Sequence, residues 1–243
     1  MKSTLESPAF WRTAPFLLFL VLTYGQGQFG EASRYWIYLL KTLAGVGLIW
    51  HIHPHVPEMR WRVSWEACLA GLVVFGIWVG LEGLYPTVSE VVERWICPAM
   101  NSVGLERWCP QAGAAPAPWN PSHVFGANSM AAWLFVVVRI AGSALVVPPL
   151  EEVFYRSFLY RYLIKADFES VPLAVFRPAA FVIAALVFGV AHREWLAGVF
   201  CALVYQGLVC HKQRLGDAMT AHAVTNFLLG LWVVAKGAWH FWG

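Results

Sequence analysis

The sequence predicts an all-α fold, a polytopic transmembrane helical bundle with room for about seven or eight spans of roughly 20 residues each. Of its 243 residues, 59% are hydrophobic and only 13% charged, about half the charge of an ordinary soluble domain. The mean hydropathy is +0.57. Runs of alternating polarity at strand length are missing, which argues against a membrane barrel. These observations exclude a soluble enzyme. The net charge of +3 arises from scattered lysines and arginines, with no basic block to grip phosphates, so no nucleic-acid partner is expected. The expected surroundings are the lipid bilayer, and the 14 tryptophans suit a chain with many membrane–water boundaries. Without internal repeats, the chain reads as one integral-membrane domain over 1–243. Amino-terminal spans and a long polar connection fill 1–129, and a motif-bearing core fills 130–243.

The spans follow in order. Ala14 to Tyr24 is apolar but short and follows Lys2 and Arg12. No small-x-small cleavage site follows it, so it reads as a retained first span. Tyr35 to Trp50 and Trp65 to Leu81 are clearer, and a connection rich in proline, glycine and tryptophan occupies 82–129. Met130 to Val147 is strongly apolar and ends at Pro148-Pro149, which are expected to stop one helix and start another. Leu150 to Lys165 is helical in pattern but heavily charged for a span. Pro178 to His192, Trp195 to Cys210 and Ala218 to Trp239 complete the set.

Lys2, Arg12, Arg60 and Arg62 place the amino terminus and the second connection in the cytoplasm. The long connection then lies outside. Arg161, Lys165 and Arg177 crowd a later connection that this count of spans also puts outside, so the two signals conflict. Cys68, Cys201 and Cys210 read as small apolar residues within spans. Cys97 and Cys109 share the long connection, either as a disulfide formed in an oxidising compartment or as two free thiols.

Ionisable groups within spans are costly and mark candidate functional sites. Glu151, Glu152 and Arg156 lie on the charged helix, His192 ends an apolar span, and His222 and Asn226 share the last one. Residues four apart share a helix face, so Glu152 is expected to pair with Arg156 and to support the site. Glu151 points about 100° away, free to meet water or substrate as a general base. A histidine beside it can polarise the attacking water, while His222 and Asn226 offer donors for a tetrahedral oxyanion. Arg139 lies alone in its span; pairing with a site carboxylate and snorkelling to the boundary both stay open.

These residues carry a family resemblance. Glu151-Glu152-Val153-Phe154-Tyr155-Arg156 matches the EExxxR motif of the CAAX-protease and bacteriocin-processing (CPBP) family of intramembrane glutamic endopeptidases. Phe188 to His192 matches its FxxxH motif and His222 to Asn226 its HxxxN motif, in family order. The resemblance implies a metal-free, cofactor-free helical protease in which Glu151 and His192 activate water and His222 and Asn226 form the oxyanion hole. In eukaryotes such enzymes remove the last three residues of prenylated CAAX proteins. The stretch Pro148 to Ile164 is most similar to a bacterial CAAX prenyl protease-related subgroup linked to exosortase sorting. The expected partner is a membrane-associated protein or peptide, and the expected location is a bacterial inner membrane. The first 130 residues carry no recognised motif.

Each feature also has a plainer reading. Glu151 and Glu152 suit the start of a helix after the prolines, His192 and His222 suit satisfied core histidines, and Asn226 suits helix–helix bonding. Phe188 is expected to pack. His51, His53 and His55 alternate, so an extended chain lines up three imidazoles, a zinc-compatible pattern that equally suits headgroup level. Asp217 reads as part of the N-cap neighbourhood of the last helix. Diaspartyl, HExxH zinc and rhomboid-like serine mechanisms lack their residues here. The remaining rivals are a zinc-dependent form of the same site, a non-proteolytic scaffold or immunity-type protein, and a proton-coupled transporter.

Overall fold

In the computed structural model, described for residues 7–26, 28–105, 107, 109 and 118–242, the chain is helical, with no strand among the described residues. Lys2 lies outside them. The helices are α1 (Pro8–Tyr24), α2 (Ser33–Ile52), α3 (Trp65–Gly80), α4 (88–102), α5 (Pro121–Phe125), α6 (Met130–Ile164), α7 (Pro178–Val190), α8 (Trp195–Lys212) and α9 (Leu215–Lys236). By length and composition α2, α6, α8 and α9 can cross a membrane, and α3 and α7 are shorter apolar helices. Their outer faces are apolar: Leu43, Leu72, Val137, Val182 and Leu231 are all exposed, which in a chain of this composition is the lipid-facing surface. Tryptophans mark both ends of the bundle. Trp50, Trp61 and Trp65 are exposed at one end, and Trp36, Trp95 and Trp133 at the other.

The proline pair does not divide the fourth apolar stretch. Met130–Ile164 is one helix of 35 residues, about 52 Å at 1.5 Å per residue. A proline removes a backbone donor and crowds the carbonyl one turn back. Here the turn before Pro148 widens into a π segment, Gly142–Val146, in which the Val147 N–H reaches back five residues to the Gly142 carbonyl. A second π segment, Val153–Leu159, follows the glutamates. The widened turns re-register the hydrogen bonds, so the chain absorbs the prolines and continues.

This merger removes the conflict over orientation. With one span fewer, the connection after α6 falls at the same end as the one after α2. The two touch: Arg161 donates to Glu58 at 2.9 Å, and Arg12 at the start of α1 meets both Glu58 (2.9 Å) and Glu169 (3.3 Å). That end carries Arg12, Arg60, Arg62, Arg161, Lys165, Arg177, Lys212 and Arg214, against Arg34, Arg94, Arg107, Arg193 and Lys236 at the other. By the positive-inside rule the first end is the one expected in the cytoplasm. The opposite end holds α4 and the Cys97–Cys109 disulfide, whose Cα atoms are 5.6 Å apart, as an oxidising compartment permits. In intact cells a membrane-impermeant maleimide is expected to label Cys109 in the Cys97→Ser variant but not a cysteine introduced by Glu169→Cys. Labelling of the latter alone reverses the orientation.

The first end is tied by Glu58. Arg12 donates to its two oxygens at 2.9 and 3.1 Å, Arg161 donates at 2.9 Å, and the Ser157 hydroxyl also donates to it. Burial pushes the Glu58 carboxyl up, but Arg12, Ser157 and Arg161 outweigh it and hold it below its ordinary 4.5. A carboxylate depressed on folding stabilises the fold above its unfolded value and loses that contribution as pH falls through the folded one. The melting temperature is therefore expected to drop on acidification below about 4.5, and Glu58→Gln is expected to flatten that drop. A drop as steep in Glu58→Gln as in the wild type contradicts this assignment.

Two further expectations change. Asp217 lies inside the first turn of α9, fully buried, accepting from Ser64 at 2.6 Å and from Arg214 at 2.9 Å. Ser64 also caps α3, so Asp217 locks two helix starts together. His51, His53 and His55 are helical, with no extended segment to align them. Trp11 stacks on His55 at 3.9 Å and meets His51 edge-on.

Candidate active site

Between the helices is a cavity of about 380 Å³ lined by Glu151, His192, His222 and Asn226, along with Trp78, Ser143, Tyr205 and Thr225. Three separate helical regions supply the four motif side chains. Arg193, Glu194 and His240 line both this cavity and an outer hollow bordered by Glu82, Tyr85 and Glu90. The cavity therefore leads toward the end that carries the disulfide.

Glu151 and Glu152 part as the helix geometry requires. Glu152 is fully buried: its Oε2 accepts from Arg156 Nε at 3.0 Å, and its Oε1 meets His222 Nδ1 at 2.9 Å. Glu151 turns into the cavity, where its buried Oε2 has no hydrogen-bond partner among the described residues. A buried carboxylate oxygen that faces a cavity is placed to accept from water or substrate. Arg156 is held between rings as well, its guanidinium 4.9 Å from the Phe188 centroid.

His192 lies just beyond α7, after the C-cap at Ala191, and not within the helix. Its backbone N–H closes on Gly189 and its Nδ1 on the Phe188 carbonyl at 2.7 Å. A carbonyl only accepts, so Nδ1 carries the hydrogen and Nε2 keeps a lone pair. The ring stacks on Phe188 at 4.5 Å, with Trp78 edge-on at 5.6 Å. Phe188 packs, as expected, and is buried against Tyr155. Gly189 within the same motif lets α8 approach closely: a Cβ there would lie 2.7 Å from the Trp195 carbonyl.

His222 is held by Glu152 at Nδ1 and by the Tyr205 ring at 5.4 Å. Tyr205 donates to Thr225 at 2.7 Å, and Thr225 bonds the Gly71 carbonyl at 2.8 Å, fastening α8, α9 and α3 behind the imidazole. A carboxylate also only accepts, so Nδ1 of His222 carries a hydrogen. Its Nε2 donates only when the ring holds a second proton. Asn226 donates one amide hydrogen to the Ser143 carbonyl at 2.8 Å and keeps its second for the cavity.

Among the described residues no group of three or more His, Cys, Asp and Glu side chains is arranged to hold a metal. Arg139 pairs with no carboxylate among the described residues; it lines the cavity, its Nη2 donating to the Trp242 carbonyl at 3.0 Å and its guanidinium 5.1 Å from the Trp119 ring of the long connection. Sequence reasoning passed over Lys41, which lines the same cavity from α2. A lysine in the middle of an otherwise apolar span was the available signal.

Fold and cavity together define a class: an α-helical membrane protein whose ionisable side chains converge on a space between its spans. Residues 130–228 match the family model described as type II CAAX prenyl endopeptidase Rce1-like. The match covers about two-fifths of the chain and includes all four candidate residues. No curated protein and no solved structure matches the chain.

Proposed function

We propose that the protein is an intramembrane endopeptidase of the glutamic type, acting on a membrane-associated protein or peptide in a bacterial inner membrane. Glu151 takes a proton from water, and His192 Nε2 accepts the water's second hydrogen in a hydrogen bond. The resulting hydroxide adds to the scissile carbonyl carbon. The second Asn226 amide hydrogen and the His222 ring steady the oxyanion. Glu151 then returns its proton to the amide nitrogen, the C–N bond breaks, and an acid and an amine leave. Glu152 and Arg156 hold His222 in place.

The observation that supports this reading most is the division of labour between adjacent glutamates, one engaged on both oxygens and the other unengaged in the cavity. Substrate capture tests it. Membranes of cells expressing Glu151→Ala are expected to yield bound, uncleaved precursors whose shortened forms accumulate with the wild type. Recovery of the same intact proteins from both argues for a scaffold.

A further inference from the structure

Lys41 and Arg139 remain unassigned after the hydrolytic groups have their roles. Lys41 lies about 12 Å along α2 from Ser33 at 1.5 Å per residue, and its side chain is buried. Its ammonium donates to Thr23 Oγ1 at 3.0 Å and lies 4.6 Å from the ring centroids of Phe19 and Tyr38. The Arg139 guanidinium lies 4.5 Å from the same Tyr38 centroid and 5.1 Å from Trp119. Sharing one ring, the two cations are at most about 9 Å apart.

Buried Arg12, Arg156 and Arg161 each hold a glutamate, whereas among the described residues Lys41 and Arg139 pair with no carboxylate. Aromatic faces temper a cation but carry no net charge. The Glu151 carboxylate acts on Lys41 across the cavity but pairs with neither cation, and two neighbouring cations that share one remote carboxylate at membrane depth remain costly until a further anion joins them. Both side chains line the cavity that holds Glu151.

We propose that Lys41 and Arg139 form an anion subsite that takes a carboxylate of the peptide substrate, on a side chain or at a chain end. This rests on the proteolytic reading of the cavity. Lys41 lies about 7.5 Å along α2 past the boundary tryptophan Trp36 at 1.5 Å per residue and is buried against the cavity that holds Glu151, which favours a group carried in on a substrate over a lipid phosphate.

The test uses the full-length protein in phosphatidylcholine nanodiscs, titrated calorimetrically with three acetylated tripeptides: trileucine acid, trileucine amide and Leu-Glu-Leu amide. At least one of the two acidic peptides is expected to bind about tenfold tighter than trileucine amide, as a charge-assisted contact gives, and which one does so identifies the source of the carboxylate. The preference is expected to persist in Glu151→Gln and Lys41→Arg and to vanish in Lys41→Met and Arg139→Met. Equal binding of all three peptides overturns the proposal, as does a preference that survives both methionine variants. Abolition of the preference by phosphatidylglycerol reassigns the subsite to a headgroup and also overturns it. A preference in a protein that cleaves nothing keeps the subsite and sinks the protease reading, while cleavage without preference does the reverse.

Discussion

Replacing Glu151 by glutamine is expected to lower peptide-bond hydrolysis by about 10³-fold, the range a positioned general base contributes, with the melting temperature almost unchanged. The asymmetry follows from the site. The Glu151 Oε2 bonds no described residue, so the isosteric amide removes the base without breaking a structural contact. His192→Ala is expected to fall in the same direction, because its Nε2 is the lone pair left after Nδ1 is tied to the Phe188 carbonyl. A Glu151→Gln protein that melts normally and cleaves at the wild-type rate removes Glu151 from the mechanism.

Arg156→Met is expected to act in the opposite way, through the fold. It strands the Glu152 carboxylate, 0% exposed, with His222 as its remaining partner. Breaking one side of a buried ion pair costs about 3–5 kcal/mol, a large share of the stability of a protein this size. Thermal denaturation in detergent reads the loss. Glu152→Leu combined with Arg156→Met is expected to recover part of it, since an apolar replacement of both partners comes near to breaking even. Cleavage is expected to stay low in the double variant, because the Nδ1 of His222 then lacks its acceptor. A single variant as stable as the wild type contradicts the role given to this pair.

The contrast between neighbouring glutamates was legible in the sequence because helix geometry alone turns residues 151 and 152 apart, and Arg156 at i+4 selects which of them is engaged. The placement of His222 against Glu152, 70 residues away, was not legible, since spacing carries no information on how helices cross. The spans from 35, 65, 178, 195 and 218 lay within a few residues of the observed helices because lipid demands unbroken apolar runs. The proline pair misled for a local reason. Its effect on a helix depends on whether the preceding turn can widen, and Gly142–Val146 does so. That one difference changed the number of spans and with it the sidedness of every later connection. Lys41 went unnoticed although it lies in the middle of an apolar run, because the cavity and the rings that surround it are brought together only by the fold.

The central claim is tested most directly by profiling peptide termini in membranes from cells that express wild-type protein or Glu151→Gln at equal abundance. The account predicts a defined set of new termini, from membrane-associated proteins, that is present with the wild type and missing with Glu151→Gln. Indistinguishable profiles from the two membranes would contradict it.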